Sequence, residues 1–85
     1  MSIQNEIKVS ERCVKRMREE NRMLARSLER RHKDVTTCIE RAGPEYASQH
    51  MCAIERTAKK YNDNERSIYD YIDYIRELRE QLEAA

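Results

Sequence analysis

The sequence predicts an all-α fold: two long antiparallel helices folded back as a coiled-coil-like hairpin, with the hairpins assembling into a four-helix bundle. Three observations predict it. Apolar residues recur at alternating three- and four-residue steps through nearly the whole chain, the spacing that holds one helical face against a partner. Strong punctuation occurs once, at Gly43-Pro44, in a chain with a single Gly and a single Pro. Charged and hydrophobic residues each make up 39% of the 85 residues, with no Trp or Phe, a composition of long helices rather than sheet.

The first helix is expected over about residues 3–42. Its stripe runs Ile3, Ile7, Ser10, Val14, Met17, Asn21, Leu24, Leu28, Arg31, Val35, Cys38 and Ala42, a heptad-like repeat sustained long enough to face a partner along its length. The turn is expected at 43–44, because Gly suits the left-handed residue that closes one helix and Pro the first turn of the next. The second helix is expected over about 45–83. Its stripe is read as Ala47, Met51, Ile54, Ala58, Tyr61, Glu65, Ile68, Ile72, Ile75, Arg79 and Leu82. The whole chain is thus one helical-hairpin domain, 1–85.

Folding the arms back about 43–44 predicts a register. Cys38 meets Met51, Val35 meets Ile54, Leu28 meets Tyr61, Met17 meets Ile72, Val14 meets Ile75 and Ile7 meets Leu82. The polar seam positions fall at Arg31 opposite Ala58, Glu65 opposite Leu24, Asn21 opposite Ile68, and Ser10 opposite Arg79, and none forms an obvious pair directly across the seam. A polar seam residue such as Asn21 fixes register or oligomer state at a cost in stability. Asn21 and Glu65 therefore point to a larger bundle in which a second hairpin supplies partners.

Tyr71 and Leu78 flank the second stripe and widen it beyond what one helix covers. Tyr69 and Tyr74 lie close by, and tyrosine suits binding surfaces because its ring contributes area while its hydroxyl stays wet. Tyr69, Tyr71, Tyr74, Leu78 and Asn21 are the expected partner-binding residues. Asn62-Asp63-Asn64, three poor helix formers in a row, are placed on the outer face.

Charge is divided between the arms. Residues 1–42 hold 11 Lys/Arg against 7 Asp/Glu (+4), and residues 43–85 hold 6 against 9 (−3), which sums to the net +1 of the chain. Opposite signs steer two arms together, and equally two copies. Acidic residues interleave with the basic ones of the first arm, so nucleic-acid binding is the less favoured alternative. A structural coiled-coil subunit of a cytoplasmic assembly is the other.

Nothing in the sequence points to catalysis. Phosphate-binding loop, His-Glu-x-x-His and nucleophile-elbow motifs are missing, and a helical rod offers no concave pocket. His32 sits among Arg30, Arg31 and Lys33, and His50 falls out of register with it. Cys13, Cys38 and Cys52 lack metal-type spacing and are odd in number, so neither a zinc site nor a disulfide framework is signalled. No cofactor, metal or small-molecule substrate is expected. The charged N-terminal stretch is unlike a signal peptide and no stretch is long and apolar enough to insert in a membrane, so cytoplasmic synthesis is expected.

The second arm carries two Tyr-x-x-x-Asp/Glu matches, Tyr61 with Glu65 and Tyr69 with Asp73. With those matches, its size and its helix-turn-helix layout, the chain resembles, over its whole length, the WXG-type (early secreted antigen) helical hairpins of type VII secretion and their relatives that partner LXG toxins. The resemblance implies a homodimer or a heterodimer with another helical protein, acting as secretion partner or adaptor. It also implies export without a cleavable signal peptide, with Tyr61, Glu65, Tyr69 and Asp73 as candidate export-signal residues.

Overall fold

The computed structural model describes residues 2–85 and is a helical hairpin: α1 (Ile3–Ala42), a single 3-10 turn (Pro44–Tyr46) and α2 (Ser48–Ala84). Ser2 caps α1, its hydroxyl accepting from the Asn5 amide at 3.1 Å and satisfying one of the amides a helix start leaves open. Glu6 adds a carboxylate to the first turn, where the helix dipole favours one.

α1 ends at Ala42, with Gly43 after it. Gly43 adopts φ 96° and ψ 164°, and its amide donates to the Ile39 carbonyl at 3.2 Å. That ψ is far from the left-handed helical region expected for a capping glycine; it is a region essentially closed to residues with a side chain. Pro44 then starts a 3-10 turn rather than α2 itself, so α2 begins three residues later than expected. Its first turn is handed over by the Ala47 carbonyl, which accepts from Met51 at 2.9 Å.

The hairpin measures 65 × 16 × 14 Å, with a Cα radius of gyration of 19.0 Å, against about 12 Å for a compact chain of this length. It exposes 6860 Å², where a compact monomer of its mass exposes about 5,300 Å². Leu78, at 3% exposure, is its most buried side chain, and no large side chain among the described residues falls below 2%.

On α1 the stripe is as read. Every position from Ile3 to Cys38 is buried or half-buried, and only Ala42 is exposed. On α2 half of the stripe is corrected. Ala47, Ile54, Tyr61, Ile68 and Ile75 do face α1, but the residues alternating with them stand three positions on, not four: His50, Thr57, Asn64, Tyr71 and Leu78. Met51 (43% exposed), Ile72 (38%) and Leu82 (41%) lie outside the seam. The inner set is the less apolar one, which is why composition misdirects the assignment.

Three things make the inner set fit. Leu78 fills the core beside Ile7, Val14, Ile68 and Ile75. Arg79 turns outward to meet Glu11 at 2.7 Å instead of being buried. Thr57 satisfies its hydroxyl within its own helix, donating to the Ala53 carbonyl at 2.9 Å, a bond open to a mid-helix threonine.

Val14 and Ile75 share one apolar cluster, and Val35 and Ile54 share the other, as the register requires. In the middle of the rod Asn21 is hydrogen-bonded to Asn64 and Glu65, the residues four and three before Ile68. Neither Cys38 against Met51, Met17 against Ile72, nor Ile7 against Leu82 is a core pair, because the second member of each is exposed.

Candidate protein-binding flank

The core is two apolar clusters separated by a polar clasp. Ile3, Met17 and Tyr71 extend the cluster near the chain ends, and Leu28 packs on Val35, Ala47 and Ile54 near the turn. Between them Asn21, 4% exposed, donates through Nδ2 to Glu65 Oε1 at 2.9 Å and to the Tyr61 carbonyl at 3.2 Å. Asn64, also buried, donates through its Nδ2 to Asn21 Oδ1 at 2.9 Å and to Glu20 Oε1 at 3.0 Å. Lys60 Nζ lies 3.7 Å from the same Glu20 oxygen.

Two expectations are corrected here. Asn21 and Glu65 are not left without partners, since the hairpin supplies them internally. Asn64 is a buried member of the clasp, not an outer-face residue, whereas Asn62 and Asp63 are exposed as read. Half-buried Arg31 shares the seam, its Nε shut from solvent with no hydrogen-bond partner among the described residues.

The partner-binding residues expected from sequence separate into two groups. Asn21, Leu78 and half-buried Tyr71 are taken up within the hairpin, so the width they seemed to add is covered by α1. Tyr69 and Tyr74 remain exposed. Tyr74 donates to Glu6 Oε2 at 3.3 Å and crosses one flank of the hairpin, the flank that also carries Lys60 and Glu20. Partial desolvation first, then the charge and hydrogen bond of Glu6 and the charge of Glu77, raise its hydroxyl above its ordinary pKa of 10.0. Tyr71 is raised as well, first by its interaction with the neighbouring Cys13 thiol and then by desolvation.

The opposite flank is open. Ile72 and Ile75 line a shallow groove there, bordered toward the turn by Lys15, Arg18 and Arg22 and toward the chain ends by Glu80 and Glu83. Tyr69, 65% exposed, stands three residues before Ile72, close enough on a helix for the two side chains to be neighbours. Within the groove Arg79 is paired with Glu11 at 2.7 Å, and Arg76 with Asp73 at 3.0 Å. Sequence reading missed this groove because it placed Ile72 inside the seam. Its signal was present all the same: the stripe that does not face α1 is the more apolar one.

Of the two Tyr-x-x-x-Asp/Glu matches, Tyr61 is half-buried with Glu65 engaged by Asn21, whereas Tyr69 and Asp73 are both exposed. His32 is exposed and His50 half-buried. Cys13 and Cys38 are half-buried, Cys52 is exposed, and all three are free thiols. Among the described residues no helix is long and apolar enough to cross a membrane. No family model matches the chain, no curated protein matches it, and no solved structure matches it.

Proposed function

We propose that this chain is a non-enzymatic protein-binding module, a helical-hairpin adaptor whose open flank receives another helical chain to complete a four-helix bundle. The observation that carries this reading is the surplus of surface. The hairpin exposes about 1,500 Å² more than a compact chain of its mass, and part of that surplus is an apolar groove around Ile72 rimmed by charge. A stable interface removes about 800 Å² from each partner, so one docked hairpin accounts for roughly half of the surplus. The clasp narrows the reading further: with Asn21 and Glu65 satisfied inside the hairpin, the need for a partner rests on the flank, not on the seam.

Hydrogen exchange on the full chain, over a range of chain concentrations and with extract of its native host, tests this. The reading expects added protection of α2 amides around Ile72, and unchanged exchange there under every condition would refute it.

A second reading follows from the exposed pair Tyr69 and Asp73, one helical turn apart. It makes the hairpin a type VII secretion partner, synthesised in the cytoplasm and exported, with that pair contacting the export apparatus. Replacing Tyr61 and Tyr69 separately by alanine separates the two matches. Loss of export with Tyr69→Ala alone is expected, and normal export of both variants would remove this reading.

A further inference from the structure

Resting on the binding reading above, we propose that the occupant of the Ile72 groove is a second copy of this chain, docked about a two-fold axis beside Ile72 and perpendicular to the rod. A two-fold interface presents the same patch from both sides, so the patch must complement itself after half a turn. This groove does so. Its centre is apolar, lined by Ile72 and Ile75, with Ile72 exposed. One end is basic, with Lys15, Arg18 and Arg22, and the other is acidic, with Glu80 and Glu83.

The spacing matches as well. Lys15 and Ile72 line the same stretch of groove. Arg22 lies seven residues beyond Lys15 toward the turn, about 10 Å at 1.5 Å per residue. Glu80 lies eight residues beyond Ile72 toward the chain end, about 12 Å on the same measure. Half a turn about Ile72 therefore brings Arg22 of each copy level with Glu80 of the other, with Arg18 between that contact and the axis, and the contact forms twice.

The charges in between do not compete. Arg76 and Arg79 are paired with Asp73 and Glu11 in their own chain, while Lys15, Arg18, Arg22, Glu80 and Glu83 form no ion pair among the described residues. The opposite flank is crossed by Lys60 to Glu20 and Tyr74 to Glu6. A foreign helix would require only that its own charges match; a groove with free cations toward one end and free carboxylates toward the other, about an apolar centre, is what self-association requires.

Sedimentation equilibrium of the full chain over a range of concentrations tests the proposal. The expected mass is twice 10.2 kDa, and Ile72→Asp is expected to return the chain to monomer with its helical circular dichroism intact. Arg18→Glu with Arg22→Glu, and separately Glu80→Lys with Glu83→Lys, places like charges at both contacts and weakens self-association by about tenfold or more at low salt. Mixing the two charge-reversed proteins restores it, because opposite charges then meet at both contacts.

A dimer that survives Ile72→Asp, or charge-reversed proteins that do not rescue each other, overturns the two-fold arrangement. A wild-type chain that stays monomeric overturns the second copy, and a pull-down from host extract then decides the rest. A protein retained by wild type and lost with Ile72→Asp leaves the adaptor reading standing, whereas no retention removes both.

Discussion

Removing either member of the Asn21 and Asn64 pair is expected to cost more than the pair contributes, and the geometry sets the amount. Asn21→Ala deletes the acceptor of one Asn64 N–H and both donors to Glu65 and the Tyr61 carbonyl. Asn64 is buried, so its freed N–H cannot easily recover water, and an orphaned buried donor costs about 1–3 kcal/mol. Glu65 is half-buried and rehydrates at smaller cost. The single variant therefore loses about 2 kcal/mol, or roughly 8–16 °C in melting temperature for a domain of this size. Asn64→Ala orphans Asn21 Oδ1 and loses a similar amount. The double alanine variant leaves neither group without its mate, so it loses about 2–3 kcal/mol rather than the sum, a coupling of about 1–2 kcal/mol. Replacing both by leucine makes the two apolar clusters continuous and is expected to equal or exceed wild-type stability. The measurement is thermal unfolding by far-ultraviolet circular dichroism at one fixed protein concentration. Single-variant losses that simply add would refute the clasp as a coupled unit.

Three further outcomes follow. Gly43→Ala costs about 1–3 kcal/mol by forcing a residue with a side chain into a region of backbone space that excludes one. The cost is conformational, since a Cβ there would stand no closer than 3.4 Å to Glu45. Gly43→Asn fares no better, whereas a left-handed helical cap would tolerate asparagine, and thermal melts of the two variants distinguish these. Leu78→Ala costs about 3 kcal/mol and Leu82→Ala much less, and equal losses in urea titrations would contradict the inner stripe on α2. In alkali, spectrophotometric titration finds Tyr71 and Tyr74 ionising above the ordinary value of 10.0. Because folding raises these two, the folded state holds more protons than the unfolded chain above that pH. Their contribution is complete below it and is lost as pH rises through the raised values, so stability falls across that window.

The first helix was legible in the sequence because its polar and apolar seam residues obey one repeat without a rival. Ser10, Asn21 and Arg31 sit in the seam despite their polarity, and spacing alone identifies them. The second helix offers two repeats that share Ala47, Ile54, Tyr61, Ile68 and Ile75 and differ only in what alternates with them. Counting apolar residues selects Met51, Ala58 and Ile72 over His50, Thr57 and Asn64, but a count cannot register that Asn64 has a mate in Asn21 or that Arg79 has one in Glu11. Those gains depend on a second helix at hydrogen-bonding distance, a property of the pair and not of either stretch of sequence. The turn was legible as a position, while its glycine conformation and the 3-10 turn that delays α2 were not, because Gly-Pro is compatible with several geometries.

The rival repeat on α2 carries the functional consequence. A surface helix of a self-sufficient hairpin has no use for a second apolar stripe, and exposing Met51 and Ile72 at about 40% each leaves apolar area in water at about 25 cal/mol per Å². The two stripes share their alternate positions, so α2 can face α1 with one edge and another helix with the adjacent edge without twisting away from either. On the proposed bundle reading, that adjacent edge is the one a docked helix covers. α1 has no such second stripe and its outer face is largely charged, so the asymmetry also gives a direction: a docking chain approaches from the α2 side, over Ile72. A deep mutational scan for self-association would then find polar substitutions disruptive at Ile72 and neutral at exposed Met23 of α1, and equal sensitivity at the two would contradict the one-sided approach.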